Sequence, residues 1–486
     1  MTVPFANLPA NTRNPGFYFE VDPSKANTGQ RQKRALLIGQ TTKVGVPQVA
    51  GLCPSFAFAR DAYGPGSPLA LMMRQYRRRD IFGEVWALPV ANNGAGTAST
   101  TATTFTGPAA GAGTLSGLVC GEPVQVLVGA GMSANALAAA FASAVNANVD
   151  LPVAAAASGA VVTCTAKVPG PLDLDVRFNH RGTLGGEAFP PGIGATTTFT
   201  PGTGAPDLGV ALANLSSRSY DMIVVPYTDT GTLDAIKAFL SDDAGRWAPT
   251  RLLFGHGVAA YRGTLGGAVT LGIARNDQHM TIMPVQDSPT PSWLIAADIV
   301  GSVATSIRND PGVPVQRRPM GWLAPPEEYR FEFPDRNTLL YNGMSTYEVD
   351  DDGTVRVSRL VTTYQKNASG VPDDAFLDFE TPFQLADVIE RFQADWSSNF
   401  ARKKIVADGT RLGRSNLDTL TPKIIAAHNL ALYRFMEEQG RVQDSDTFKK
   451  MQVVEIAGEG RVNVLLPVTL SQQLRIIAGL VQFRKP

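Results

Sequence analysis

Cysteine is scarce in this 486-residue chain, and histidine nearly as scarce. Cys53, Cys120 and Cys164 share no short spacing, and an odd number cannot all pair within one chain. Buried thiols in a reducing compartment therefore suit the chain better than a disulfide framework. His180, His256, His279 and His428 are scattered, with no H-x-x-x-H pair and no Cys/His cluster, so zinc is not expected. An excess of one charge is lacking too. Lys and Arg number 43, as do Asp and Glu, so no long-range field draws the chain to nucleic acid or anionic lipid. Near-zero net charge also removes self-repulsion, which suits a protein that associates. No run approaches 18 or so uninterrupted apolar residues, so no membrane span is expected. The opening MTVPFANLPANTRNPG lacks the basic start and apolar core of a signal peptide. There is no P-loop and no G-x-S-x-G elbow.

What is present is 44% hydrophobic and only 18% charged, a globular composition, and the length points to two to four domains. The clearest local pattern is SYDMIVVPYTDTGTLDAIKAFL from Ser219. Met222 to Val225 is a short β-rich run stopped by Pro226, and Leu233, Ile236, Phe239 and Leu240 then recur at helical spacing. The same grammar is read in ALLIGQ from Ala35, EVWALPV from Glu84, RLLFGHG from Arg251 and MTIMPV from Met280. Together these predict an open α/β sheet at the core, with a helix over Pro68 to Arg79 and another over Trp293 to Ile307. Arg74, Arg77, Arg78 and Arg79 close the first of these helices. A solvated helix end favoured by the dipole explains them better than a nucleic-acid patch.

Composition changes at Ala91, where ANNGAGTASTTATTFTGPAAGAGTLSG begins a small, polar stretch poor in aromatics. Residues 91–203 read as an inserted β-rich domain, with strands at PVQVLV and AVVTCTAKV and a helix over Ala136 to Val145. The hexamer RGTLGG occurs at Arg181 and again at Arg262, with no physical reason for the repeat. Beyond a Pro-rich connector, Pro319 to Pro334, a hairpin over Tyr347 to Tyr364 turns at Asp352 and Gly353. Two helices follow, Phe383 to Phe400 and one opened by Thr421 and Pro422 and ending before Gly440.

Both termini carry apolar residues with no evident partner. Pro4, Pro9, Pro15 and Pro23 forbid regular helix, yet Phe5, Phe17, Tyr18, Phe19 and Val21 are costly to leave in water. The last 26 residues read as strands and include Leu474, Ile476, Ile477, Leu480, Val481 and Phe483. Each arm packs on its own domain or donates a strand to a neighbouring copy.

Chemistry-bearing motifs are few. GAGMSA, Gly129 to Ala134, matches G-x-G-x-x-A, with Asp150 about 20 residues on, the spacing of a dinucleotide fingerprint. Asp150 precedes a leucine and a proline in NVDLPV, however, so an ordinary strand-to-helix turn is preferred. EVDDDGTVRVSR from Glu348 approaches a calcium loop but places Arg359 where the bidentate Glu belongs, so a hairpin turn is preferred. His256, in FGHGVAAYRG, is the histidine placed most like a catalytic residue of an open sheet.

Several long stretches resemble the tail sheath proteins of Mu-like contractile phages: PFANLPANTRNPGFYFEVDPSKAN followed by RALLIGQ, ERFQADWSSNFARKKIVADGTRLG from Glu390 and LTPKIIAAHNLALYRFMEEQG from Leu420. RFEFPDRNTLLYNGMSTYEVDDDGTVRVSRLVTTYQKN from Arg330 is similar too, with Arg336, Asn337, Leu339, Gly343, Gly353, Arg359, Thr363 and Tyr364 as the matching positions. The likeness runs nearly end to end and is weakest over 91–203. It implies an α/β multi-domain chain with a central open α/β (subtilisin-like sheath) domain at 35–90 and 204–325. The outward-facing insert would be 91–203, the α+β assembly domain 326–460, and the arms 1–34 and 461–486. It implies a structural subunit, not an enzyme, without cofactor or metal. Stacked hexameric rings would wrap a tail tube and contract to drive it through the host envelope. Partners would be further copies, the tail tube protein, and baseplate and tail terminator proteins, with no nucleic acid contact and no membrane insertion. The location would be the virion tail, and the host cytoplasm during assembly. Phe17 to Val21 and Leu474 to Phe483 would be strand donors, and Lys423, His428 and Arg434 would face the tube. A pyocin-like particle or secretion-system sheath shares these features. An α/β enzyme binding a nucleotide at Gly129 to Ala134 is the alternative of another class.

Overall fold

A computed structural model describes residues 32–178, 188–415 and 418–485. Two compact units emerge, one of residues 33–386, 440–443 and 470–486, the other built mainly of 387–439 and 444–469.

The larger unit is organised on a six-stranded sheet. Its order is Met280–Val285, His256–Arg262, Met222–Val224, Ala35–Gln40, Val85–Val90 and Gly51–Leu52, and every pairing is parallel except the last. Ala35–Gln40 and Met280–Val285 are buried at every position. This follows from parallel pairing, whose helical crossovers cover both faces and leave no solvent side for polar residues to occupy. The helix Ser292–Asn309 has nearly all its residues buried, from Trp293 through Ile307. It lies close against the helix Pro68–Arg77: a Cβ on Gly301 would stand 2.7 Å from the Tyr76 carbonyl oxygen. Among the described residues no helix is long and apolar enough to cross a membrane.

RLLFGHG is not a strand. Leu252 and Phe254 take positive φ, and Gly255 lies at +128°, so the chain cannot extend until His256. The apolar run is instead a loop, buried from Phe254 on, whose last two carbonyls are met by side chains. Trp247 Nε1 donates to Gly255 at 2.8 Å and Arg246 Nε to Phe254 at 3.1 Å. His256 consequently opens its strand. Ligand sites of open sheets sit at the carboxyl ends of strands, so the strand-end placement read for His256 is corrected. The imidazole is fully buried, 2.8 Å from Thr281 Oγ1, with the Phe379 and Phe383 rings against it.

The arginine cluster is a solvated helix end only in part: Arg78 and Arg79 are exposed, while Arg74 and Arg77 are half-buried. Arg77 donates to the carbonyls of Cys53, Asp80, Ile81 and Gly83. Arg74 meets Glu122 at 2.6 Å, and Arg79 reaches the buried Asp298 at 3.5 Å. The carbonyls of the turn after the helix thus find a guanidinium donor, while those of Arg74 and Tyr76 in its last turn are met by main-chain amides.

Residues 98–200 hold a second core. One antiparallel sheet runs Gly194–Thr200, Thr100–Thr106, Val161–Ala166, Val153–Ser158, and another runs Glu122–Val128, Gly113–Val119, Val176–Phe178. The helix Ala134–Ala147 packs on both, with Phe141 edge-on to Phe105 at 5.7 Å. Cys120 and Cys164 are buried here and Cys53 in the central core, all unpaired; burial pushes the Cys53 thiol up to about 12. Arg177 and Arg262 share the carboxylate of Asp175, and Asp173 accepts from Ser292, tying this layer to the central sheet.

The hairpin Thr346–Val349 with Val355–Arg359 turns through Gly353 at φ +81°. Asp350 pairs with Arg356 and Glu348 with Arg317 at 3.3 Å, so arginines occupy two carboxylates of the calcium-like string, while Arg359 turns to Asp378 at 2.9 Å. In the smaller unit Thr421 caps the helix Pro422–Glu438 with Pro422 at its start, and Tyr433 stacks on Phe448 at 4.0 Å. The helix Ser445–Met451 leads into the hairpin Val453–Gly458 with Arg461–Leu465.

His256 is held neutral, its pKa well below the ordinary value, first by burial and second by His279. Below about pH 6.5 the unfolded chain takes up a proton that the folded chain refuses, so stability falls with falling pH. His256→Gln is expected to flatten this slope, by up to about 1.4 kcal/mol per pH unit, in urea titrations between pH 5 and 7.

Candidate assembly surfaces

The C-terminal arm is built from a buried anchor outward. Leu470 bridges Val442, and Ser471 Oγ donates to Gly440. Gln473 Nε2 donates to Gly312 at 3.2 Å, and Arg475 Nη2 reaches Glu380 Oε2 at 2.7 Å and Asp378 at 3.3 Å. Glu380 is fully buried and also accepts from the Val315 amide at 2.8 Å. Burial, the largest influence, raises its pKa; Arg475 opposes it and loses.

Past this anchor the chain enters no sheet. The sequence reading of the tail as strands holds for Arg461–Leu465, but residues 471–485 pair with no strand among the described residues. Leu474, Ile476, Ile477, Leu480, Val481 and Phe483 are between 64% and 87% exposed. An extended segment has no ladder without a second strand, so this one is left with its apolar side chains in water. Phe17, Tyr18, Phe19 and Val21 lie outside the described residues, as does the first RGTLGG at Arg181; the second supplies Thr264 as cap of the helix Leu265–Ile273.

On Pro422–Glu438, Lys423 and Arg434 are exposed, eleven residues and so about three turns apart on one face. Ile424 and Phe435, 41% and 51% exposed, flank them. Sequence reasoning named the charges but missed these apolar neighbours, although their own eleven-residue spacing carried the signal. His428 is half-buried and engaged within its own unit: Nε2 stands 2.7 Å from Asp395 Oδ2, and the Phe400 ring is edge-on at 5.0 Å.

GAGMSA forms an ordinary turn. The strand before it is antiparallel, the Gly131 and Met132 amides are spent on the carbonyls of Ala109 and Gly129, and Ser133 caps the helix. A dinucleotide fingerprint needs a parallel strand and free amides, and Asp150 is taken by Arg60 at 3.1 Å. Among the described residues no group of three or more His, Cys, Asp or Glu could hold a metal ion.

A family model described as the phage tail sheath protein central domain matches residues 202–363. Over 492 aligned residues the chain is 33% identical to the Mu-like prophage FluMu tail sheath protein of Haemophilus influenzae, covering 99% of this chain and 100% of that one. The chain belongs to the phage tail sheath protein family. This sheath subunit is also similar to a sheath tail protein from Desulfitobacterium hafniense, at a TM-score of 0.49 and 13% identity, over 95% of this chain and 97% of the other. A sheath tail protein from Listeria innocua scores 0.49 at 10% identity, over 92% and 95%. The helical sheath of the anti-feeding prophage in its contracted state scores 0.45 at 10% identity, over 98% and 100%. The sheath subunit is thus a mixed α/β protein with several sheets, a structural component of a contractile phage tail.

Arg475→Ala leaves the Glu380 carboxylate buried without its cation. The loss expected at pH 7 is about 3 kcal/mol, smaller at pH 4, where protonation neutralises the orphan. Urea unfolding at the two pH values checks this, and limited proteolysis should cut the variant faster between residues 471 and 485.

Proposed function

We propose that this sheath subunit polymerises as stacked hexameric rings around a tail tube, and that the sheath shortens to drive the tube through the host envelope. The observation that carries the proposal is the C-terminal arm: a buried ionic anchor at Glu380 and Arg475, with Leu474 before it and five large apolar side chains after it in solvent, in no sheet among the described residues. Such a segment matches strand donation, in which main-chain hydrogen bonds give affinity and alternate side chains fill a neighbour's pockets. Leu474 to Phe483 would add to a neighbouring copy, and Phe17, Tyr18, Phe19 and Val21 would do the same from the N-terminal arm. Links of this kind keep a mesh connected while each body turns.

In this reading 35–90 and 204–325 form the sheath's subtilisin-like central domain, 91–203 faces outward, 326–460 is the assembly domain, and 1–34 and 461–486 are the arms. Lys423 and Arg434 face the tube, with Ile424 and Phe435 beside them and His428 bracing the helix from behind. The partners are further copies, the tail tube protein, and baseplate and terminator proteins. Neither nucleic acid nor membrane is contacted. The subunit works in the virion tail, after assembly in the host cytoplasm. No catalytic step is required. Energy is stored at assembly, and about 1 to 3 kcal/mol per interface sums to a large driving force over a whole tail.

Negative-stain electron microscopy of the purified protein at high concentration tests self-assembly. Hollow tubes with a regular helical surface are the expected result, and persistent monodisperse monomers would refute it. Removing residues 471–486 should leave a folded, soluble monomer by light scattering and circular dichroism. Normal sheaths from that truncation would sink the arm argument.

A further inference from the structure

The roots of both arms reach one helical turn. Lys33 stands just before Arg34, whose amide donates to Asp221 Oδ2 at 2.7 Å and whose Nε meets Glu84 at 2.6 Å, so the N-terminal root is held at the amino end of the sheet. Lys33 is itself only 3% exposed, and a buried ammonium needs acceptors in place of water. Its Nζ lies 3.5 Å from the Phe383 carbonyl oxygen, in the first turn of the helix Glu380–Asn399. The start of the same helix holds the C-terminal root. Gln384 Nε2 donates to the Ser471 carbonyl at 3.3 Å, and Glu380 Oε2 takes Arg475 at 2.7 Å. All of these groups belong to the larger unit.

Little in this turn can shift alone. Glu380 and Gln384 are buried, and the other Glu380 oxygen is spent on the Val315 amide. The Phe379 and Phe383 rings stand 4.9 Å apart and close on His256 at 5.1 and 5.5 Å. Close-packed interiors transmit a displacement that a looser one would absorb. A movement of Lys33 at the Phe383 carbonyl therefore reaches Glu380 and Gln384 through the backbone of a single turn. Those two side chains are the ones that grip the C-terminal root.

We infer that the two arm roots are coupled through residues 379–384, so that ordering one root orders the other. A neighbouring copy that takes hold of one arm then leaves the root of the second with less freedom to lose, and the second strand docks at lower entropic cost. Assembly gains cooperativity between the arms of one subunit without a change of fold. The use of this coupling in assembly rests on the reading of both arms as strand donors. The coupling itself is a property of the single chain.

The experiment reads nitroxide mobility by electron paramagnetic resonance in the dilute full-length chain. The label is placed on Gln472→Cys or on Gln32→Cys, both exposed positions, the three natural thiols being buried. Lys33→Met should raise the ratio of mobile to immobile label on Gln472→Cys, and Arg475→Met that on Gln32→Cys, each at least about fivefold, the lower end of ordinary coupling. Each variant opens one root and reads the other, so the two factors should agree, because coupling is reciprocal. Val90→Ala truncates a buried side chain at the carboxyl end of its strand and should move neither label. Should Lys33→Met fail to fold by circular dichroism, Gln384→Met repeats the Arg475→Met reading from the helix and should loosen the label on Gln32→Cys. Unmoved spectra at both labels, or an equal rise with Val90→Ala, would overturn the coupling while leaving the strand-donor reading intact. Coupled roots in a chain that forms no sheaths at high concentration would overturn the strand-donor reading and leave the coupling.

Discussion

Parallel pairing is the constraint on which the larger unit depends. Strands joined by crossover helices bury both faces of the sheet, so Ala35–Gln40 and Met280–Val285 have no exposed side and Ser292–Asn309 is almost wholly enclosed. A sheet clad in this way has no face to offer a neighbour. What remains for contact is the two ends of the strands and whatever segments leave the body. Exposed apolar residues do fall there, Phe82 before a strand and Ile476 to Phe483 beyond the last anchor, but Ile273, Phe333 and Tyr341 are exposed on helices as well.

The same constraint explains how much could be read from sequence. ALLIGQ, EVWALPV and MTIMPV are legible because a doubly covered strand is a continuous apolar run. RLLFGHG looks identical by that rule, but positive φ at Leu252 and Phe254 makes it a loop. Burial alone does not separate the two, since what decides is where the backbone hydrogen bonds go. Long helices were legible from their spacing. Short ones were not: Leu265–Ile273 is weakened by glycines, and Phe333–Tyr341 lies at the end of a stretch whose prolines suggest a connector, although Pro334 sits in its first turn, where proline is tolerated.

Surfaces were legible unevenly. The C-terminal arm announced itself by a cluster of apolar residues at a chain end. The exposed pair Ile81 and Phe82, in the turn before the strand Val85–Val90, gave no periodic signal, because two residues in a turn have no period. Its character depends on Asp80, Arg77 and Arg308, the last far away in sequence. The arginine cluster shows the same limit. Its charge was visible, but not that carbonyls and Asp298 would consume it. The family likeness reached further than any local rule because it drew on the whole chain at once.

The inserted layer leaves and rejoins the central fold at one point. Thr97 and Thr203 exchange two backbone hydrogen bonds of 3.1 Å, and Gly202 fits so closely that a Cβ would meet the carbonyls of Gly170 and Thr97 at 2.3 Å. The Thr97 and Thr203 hydroxyls add a bond of 2.9 Å, and with the stem closed in this way the length of chain above it adds little closure entropy, since that cost grows only slowly with length. The stem is therefore a socket. A foreign module whose ends meet at the same spacing must also answer Arg74 and Arg262, whose charges the natural layer meets with Glu122 and Asp175.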